Sequence, residues 1–362
     1  MNVFAVGDAL LPERYVKDGI KKFIERGDQV NVISWGEDDE AIIDQRARIL
    51  ELNGPTADTP PEELEKSIVD TELLMVHYCP VSEALLKKGT NLKILATCRM
   101  GTQNIDVAAA TQLGILTFHV IGRTTEAVSD LTVGLMLCEA RNIARAHKAM
   151  TDGSWRKVYL NSATAPEFEA KIVGLVGFGE VGRAVMRKLK CFNMKFMVYD
   201  PFVPKSQIEE LGGESADLDA LLSSSDFISL HATVTDKASN MIDSREISLM
   251  KPTAYLINAA RAELINEKAL IDALKDNRIS GAAMDVFKDE PLPPEHPFLE
   301  LDNVTLTPHI ASSTLECLAK SPRLLVDEIL NFFKTGRSRF IVNPELLEKF
   351  SAEHFMPSSK RR

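Results

Sequence analysis

Residues 171–182 run Lys171-Ile-Val-Gly-Leu-Val-Gly177-Phe-Gly179-Glu-Val-Gly182, and the fold is decided there. A short run rich in Val, Ile and Leu, of the kind buried in a parallel sheet, enters a glycine turn and leaves it as a helix. Each glycine has a steric task. Gly177 permits the tight turn, Gly179 lets the backbone approach a phosphate, and Gly182 lets the helix pack close to the strand. The helix starting near Glu180 offers unpaired N–H groups and the positive end of its dipole to an anion. Glycines also cluster in ordinary βα turns, so the pattern needs context. A second apolar run, 196–199, ends in Asp200, at about the ~20-residue distance of the acid that binds an adenosine ribose. The stretch therefore predicts a dinucleotide site. Asp200 favours NAD over NADP because its carboxylate repels a 2′-phosphate, and Lys205 nearby softens that preference.

Working outward, 362 residues are too many for one ordinary core, so two domains are expected. The apolar runs are too short to span a bilayer, and the N-terminus lacks signal-peptide flanks. Cys79, Cys98, Cys138, Cys191 and Cys317 show no CxxC spacing. That speaks against a disulfide framework or a cysteine zinc site, and fits a reducing cytoplasm. A formal charge of −10 speaks against general nucleic-acid binding and requires a local positive site for any anionic substrate. The basic residues 358–362 are expected to be a solvated tail.

Before the glycine turn, strand-like runs at 2–6, 30–34, 73–77, 93–97 and 115–118 alternate with helical patterns such as 61–68 and 82–86. This predicts a parallel sheet covered by helices. No glycine-rich loop follows Val6, so the cofactor is not expected there. One long helix is expected from Thr125 to Met150, with Val128, Leu131, Leu135, Cys138, Ile143 and Ala146 on an apolar stripe. It suits a domain crossing, a subunit contact or a plain core helix. A second βα series follows, with strands at 172–176, 195–199, 227–230, 254–258, 281–285 and 304–306. A final amphipathic helix carries Leu324, Leu325, Ile329, Leu330 and Phe333, and Pro322 inside the pattern marks a kink or a fresh start.

Ligands in open α/β sheets sit beyond the carboxyl ends of the strands, so the residues after each strand of the second series carry the chemistry. Arg261 follows the strand at 254–258, and its planar fork suits a carboxylate; position alone does not separate that role from a surface arginine. Asp289 and Glu290 follow the next strand, and His309 follows the last. A histidine donates a proton to a ketone and accepts one from an alcohol, and a carboxylate on its second nitrogen fixes the tautomer. By position, either acid qualifies as that partner.

These segments resemble the D-isomer-specific 2-hydroxyacid dehydrogenase family, including its D-3-phosphoglycerate dehydrogenase-like members. The matching stretches are Arg99-Met-Gly-Thr-Gln-Asn-Ile-Asp106, residues 173–182, Leu249-Met-Lys-Pro252, Ile257-Asn-Ala-Ala-Arg261, Gly281-Ala-Ala-Met-Asp-Val-Phe287, Asp289-Glu-Pro-Leu-Pro293 and residues 303–310. The resemblance implies an α/β protein of two doubly wound parallel-sheet domains. A flavodoxin-like substrate domain (1–120 with 314–345) is interrupted by a Rossmann NAD domain (121–313), and 346–362 form a tail. It implies that Arg261 binds the substrate carboxylate, that His309 is the general acid/base, and that Glu290 rather than Asp289 is its partner. Gly177, Phe178, Gly179, Glu180, Val181, Gly182, Asp200, His231, Ala259 and Asp285 are the implied cofactor residues, with Asp285 at the nicotinamide carboxamide. The loops at Tyr78-Cys79 and at Arg99, Met100 and Gly101 are implied to hold the substrate. The family further implies a homodimer built on the long helix.

This chain departs from the family at three sites. Ala262 replaces the usual glycine after the arginine, Leu230-His-Ala-Thr-Val-Thr235 replaces Leu-His-x-Pro-Leu-Thr, and Ser312 ends the histidine motif. His77 stands where many phosphoglycerate dehydrogenases carry a phosphate-binding arginine. Little chain follows the matched core, so a regulatory small-molecule domain is not expected. The resulting expectation is an NAD-dependent oxidoreductase interconverting a D-2-hydroxy acid and its 2-oxo acid. The alternative is an NAD-responsive scaffold or corepressor on the same fold, which has no need of an acid/base pair.

Overall fold

The structure is a computed structural model that describes residues 1–235 and 237–349. The chain divides into two compact units. Among the described residues, one contains 1–123 and 314–349; the other contains 124–313.

The first unit is built on β1 (Asn2–Gly7), β2 (Gln29–Ser34), β3 (Leu73–Val76), β4 (Ile94–Thr97) and β5 (Leu116–His119). They form an all-parallel sheet in the order β2-β1-β3-β4-β5, the flavodoxin-like order. Alternation along each strand feeds two apolar layers. Val3 and Ala5 join Phe23, Phe118 and Phe332 on one face; Phe4 and Val6 join Ile43, Leu50 and Leu64 on the other. The helix Glu40–Asn53 is started by Asp39, whose side chain accepts the amides of Ala41 and Ile42, and it supplies Ile43 and Leu50 to the second layer. Pro322 lies in the first turn of the helix Ser321–Thr335. It marks a fresh start, because its missing N–H has no partner to lose there. The tail expected from residue 346 does not start there: Pro344–Lys349 is a 3-10 helix with Leu346 buried in the first layer. Residues 350–362, including the basic stretch, lie outside the described residues.

The second unit contains β6 (Ile172–Val176), β7 (Lys195–Tyr199), β8 (Glu214–Ser215), β9 (Phe227–Leu230), β10 (Tyr255–Asn258), β11 (Gly281–Met284) and β12 (Val304–Leu306). The order is β12-β11-β10-β9-β6-β7-β8, all parallel. This is the Rossmann order with a seventh strand, and β6 marks the point where the winding reverses. The two-residue edge strand β8 is too short to carry a readable period.

The long helix expected from Thr125 to Met150 is two helices, Thr125–Ala140 and Ile143–Thr151. Asn142 breaks it with a left-handed φ of 56°, a conformation asparagine tolerates better than most residues. The break is held by side chains. Asn142 Nδ2 donates to Asn161 Oδ1 at 2.7 Å, and Arg145 donates to Asn142 Oδ1 and to both oxygens of buried Glu139. Glu139 also accepts from Thr305 Oγ1 at 2.6 Å, which ties this helix to β12. Leu135 of the expected stripe is buried in the core, whereas Ile143 beyond the break is exposed.

Candidate active site

The glycine turn leaves β6 at its carboxyl end. Gly177 has a φ of 96°, and a Cβ there would lie 2.6 Å from the amide nitrogen of Ala232, so only glycine fits. A Cβ on Gly182 would strike the Gly177 carbonyl oxygen, which is the close helix–strand approach expected from the sequence. Gly179 is different: nothing lies within 4 Å of a Cβ built there. It caps the helix Glu180–Leu189, and the amides of Gly179, Val181 and Gly182 meet no acceptor among the described residues. Open space beside unpaired helix N-terminal amides fits the pyrophosphate of a dinucleotide. Phe178 is buried beneath the turn.

Asp200 stands beside this turn at the end of β7. Its Oδ2 accepts the Phe178 amide at 2.7 Å and its Oδ1 the Phe202 amide at 2.8 Å, so the expected ribose acid also braces the turn. His231 follows β9, and its amide donates to Val176 O at 2.7 Å. Its Nε2 is shut off from solvent and meets no hydrogen-bond partner among the described residues. Burial pushes the imidazole down to about 4, so it is neutral at pH 7. An orphaned buried nitrogen beside the glycine turn also fits a polar ligand there.

The remaining chemistry lies along the same sheet edge. Asn258, Met284 and Leu306 end β10, β11 and β12 in register. Arg261 and His309 each come three residues past their strand, with β11 between them. Two strand spacings put the strand axes about 10 Å apart. Buried Asn258 shapes the first loop: its Nδ2 donates to Arg261 O at 2.8 Å and its Oδ1 accepts the Ala260 amide at 3.0 Å. Ala259 is buried in this turn, while Arg261 is exposed, with Nη1 donating to Ala260 O at 2.7 Å. Asn258 was not singled out from the sequence, although an Asn at a strand end before a tight turn is the signal for such a brace.

Glu290 and His309 meet. His309 Nδ1 lies 2.8 Å from Glu290 Oε2, and Glu290 Oε1 accepts the Phe287 amide at 3.0 Å. An ionised carboxylate can only accept, so Nδ1 carries the proton and Nε2 is the nitrogen turned to other chemistry. His309 has a φ of 53°, a strained value for a non-glycine residue of the kind found at functional sites. Its side chain keeps 48% of its surface exposed. Asp289, the other acid open on position, makes no such contact.

Asp285 departs from the expectation that it faces the nicotinamide. Its carboxylate is fully buried. It accepts from Thr307 Oγ1 at 2.5 Å, from the Ile310 amide at 3.0 Å and from the Ala311 amide at 2.9 Å. It therefore holds the turn that carries His309.

In the first unit, the loops after β3 and β4 also differ from expectation. The Tyr78 amide is not available to a substrate, because it donates to Asp8 Oδ2 at 3.0 Å. Asp8 and His77 form a buried pair, with both carboxylate oxygens 2.9 Å from Nδ1. His77 thus turns inward rather than standing in for a phosphate-binding arginine. Arg99 is buried and committed to Asn104 Oδ1 at 3.2 Å and to Glu51. Cys79 is wholly buried. Met100 is exposed, and the amides of Met100 and Gly101 meet no acceptor among the described residues.

A Rossmann sheet with an open glycine turn at its switch point and a carboxylate-braced histidine on the same edge defines an NAD-dependent oxidoreductase. Residues 133–311 match the family described as D-isomer specific 2-hydroxyacid dehydrogenase, NAD binding domain. The chain is 38% identical over 297 residues to a glyoxylate reductase of Thermofilum pendens, covering 80% of this chain and 87% of that one. It is 37% identical over 284 residues to a D-3-phosphoglycerate dehydrogenase of Methanocaldococcus jannaschii, covering 78% of this chain and 53% of that one. The fold matches the NAD-complexed D-isomer specific 2-hydroxyacid dehydrogenase of Lactobacillus delbrueckii. The TM-score is 0.73 at 22% identity, over 94% of this chain and 100% of that one. The chain belongs to the D-isomer specific 2-hydroxyacid dehydrogenase family.

Proposed function

We propose that this chain reduces a small 2-oxo acid to the D-2-hydroxy acid, and runs the reverse reaction, with His309, Glu290 and Arg261 as its catalytic residues. The observation that carries this reading is the His309–Glu290 contact at 2.8 Å, on the sheet edge that also holds Arg261 and the glycine turn. NADH supplies the hydride when bound along Gly177–Gly182, Asp200, His231 and Ala259. Arg261 anchors the substrate carboxylate through its fork of donors. His309 Nε2 gives its proton to the carbonyl oxygen as that oxygen becomes a hydroxyl. Glu290 holds the ring plane and the Nδ1 proton, so that Nε2 is the nitrogen that exchanges a proton with the substrate. In this reading residues 124–313 form the cofactor unit and the other unit presents the substrate loops, with the Met100 and Gly101 amides as carboxylate donors. A homodimer through the 125–150 region is part of the proposal. The helix Ile143–Thr151 has no buried residue, and Trp155 and Val158 just beyond it are each 74% exposed. A cytoplasmic location accords with five free cysteines. No helix among the described residues is long and apolar enough to cross a membrane.

The test is NADH oxidation with a panel of 2-oxo acids, with NADH binding followed separately by fluorescence. His309→Ala is expected to lose turnover by at least about 10²-fold while still binding NADH. A variant that keeps its kcat would sink the acid/base assignment.

A further inference from the structure

The strand ends of the first unit hold a charge arrangement that the proposed reduction does not use. Arg99, two residues past β4, lies with its guanidinium carbon 3.9 Å from the centroid of the Tyr78 ring. Its Nη1 donates to Asn104 Oδ1 and its Nη2 to Glu51 Oε1. Asn104 in turn donates to the carbonyls of His77 and Cys79 at 3.0 Å each, so Arg99 is locked to the loop after β3. Glu51 arrives from the helix Glu40–Asn53. The pair is lopsided: the Arg99 side chain is 6% exposed and the Glu51 side chain 42%. What this edge turns outward is therefore a carboxylate, with the cation spent beneath it. Burial raises the Tyr78 hydroxyl above its usual value, and four charges act on it in turn, Arg99 and Arg123 downward, Glu51 and Asp8 upward. Of these, Arg123 has no carboxylate partner among the described residues; its Nη1 lies 4.0 Å from Cys317 Sγ.

We infer that Glu51 is a specificity-determining residue: by covering Arg99 beside Tyr78 it selects 2-oxo acids whose far end is uncharged and disfavours phosphorylated ones. This rests on the reading above that the loops after β3 and β4 face the substrate. A phosphate brings a charge of about −1.5 to −2 at pH 7. It would meet the exposed Glu51 carboxylate, and it could recruit Arg99 only by stripping a buried guanidinium of its partner, which is strongly unfavourable. One charge–charge interaction at such a partly exposed site corresponds to about tenfold in affinity. The relatives do not decide the matter by name, since one is a glyoxylate reductase and another a D-3-phosphoglycerate dehydrogenase.

The test uses a matched pair, hydroxypyruvate and its 3-phosphate, which differ only in the group at issue. Steady-state kcat/KM with NADH is measured for the unaltered chain, Glu51→Gln, Glu51→Asp and Glu51→Lys. The unaltered chain is expected to favour hydroxypyruvate at least about tenfold. Glu51→Gln should narrow that ratio about tenfold, through KM for the phosphorylated acid, Glu51→Lys should narrow it further, and Glu51→Asp should keep it. A preference for the phosphorylated acid in the unaltered chain overturns the inference, and so does a ratio that none of the variants moves. The same comparison is made by calorimetry as the Kd of each acid in the presence of NAD, so the ratio is decided even without turnover. Binding in the expected ratio with no turnover sinks the proposed reduction instead and leaves the role of Glu51 standing.

Discussion

Asp285→Asn separates two roles for one carboxylate, and its cost follows from the contacts. The side chain is inaccessible to solvent and accepts three hydrogen bonds, two on Oδ1 from Thr307 and Ile310 and one on Oδ2 from Ala311. Asparagine retains one oxygen. With that oxygen toward Thr307 and Ile310, its NH2 faces the Ala311 amide, donor against donor. One charge-assisted bond worth about 1.5–3 kcal/mol is lost, and a buried donor left unsatisfied adds about 1–3 kcal/mol. The expected destabilisation is about 3–5 kcal/mol, which for a unit of this size corresponds to a Tm lower by roughly 10 °C. Relaxation of the 307–311 turn displaces His309, and a shift near 1 Å in a catalytic group is worth about 10²-fold in rate. The assay is differential scanning calorimetry together with kcat at saturating NADH and the NADH Kd by fluorescence. Positioning of His309 predicts a lower Tm and kcat with Kd changed less than about threefold. A Kd raised tenfold or more with kcat preserved at saturation would refute the reasoning and restore Asp285 as a direct cofactor contact.

Two further outcomes follow from the glycine turn and from His231. A Cβ on Gly179 meets no protein atom whereas one on Gly177 meets the Ala232 amide at 2.6 Å. Gly179→Ala should therefore melt within about 2 °C of the unaltered chain yet bind NADH at least about tenfold more weakly, because ligand approach is what the methyl obstructs. Gly177→Ala should lose stability outright, since a left-handed φ alone costs about 1–2 kcal/mol; equal NADH affinity in Gly179→Ala would count against the phosphate site. For pH, burial sets the folded pKa of His231 at about 4 against an ordinary 6.5. The unfolded chain then takes up a proton as pH falls below about 6.5 while the folded chain refuses it until about 4, so stability falls across that window and the loss is complete below it. The Tm of the unaltered chain should decline over that range more steeply than that of His231→Asn, and parallel curves would show that the ring is not held neutral.

Much of the fold was legible because it rests on local patterns. The apolar runs of β3, β6 and β9 carry their own boundaries, and His309 and its two candidate partners, Asp289 and Glu290, follow from strand ends three and four strands along the sheet from the glycine turn; the family resemblance chose Glu290. What could not be seen depended on partners distant in sequence. The expected helix breaks at Asn142 because Asn161 and Arg145 hold its side chain and Glu139 buries its charge against Arg145 and Thr305; a hydrophobic period registers none of this. Arg99 looks like a free cation until Glu51, 48 residues earlier, is found against it. His77 shows in the sequence only as a departure from a family arginine, and its inward turn appears once Asp8, 69 residues earlier, is found against Nδ1. In each instance the sequence displays the polar group and conceals which way it faces.

Asp8 and Asp285 show why this error is systematic in a parallel sheet. Each is the first residue past its strand, β1 or β11, and each is wholly buried. Each accepts two backbone amides and one side chain: Leu11, Tyr78 and His77 for Asp8, and Ile310, Ala311 and Thr307 for Asp285. For each, the side-chain donor and at least one of the amides come from the loop beyond the neighbouring strand. Loops at the carboxyl edge carry amides that no ladder satisfies, and a buried amide left unpaired is costly. A carboxylate placed one residue past the adjacent strand meets that need and fixes the loop in one conformation. For Asp8 the His77 charge, its hydrogen bond and the two amides outweigh burial, which by itself raises the carboxyl, and the net pKa lies below the usual value. The residues proposed to touch ligand, Arg261, His309 and the Met100–Gly101 amides, are then free to lie further along their loops. A polar residue immediately past a parallel strand is thus a candidate brace before it is a candidate ligand contact, and burial separates the two.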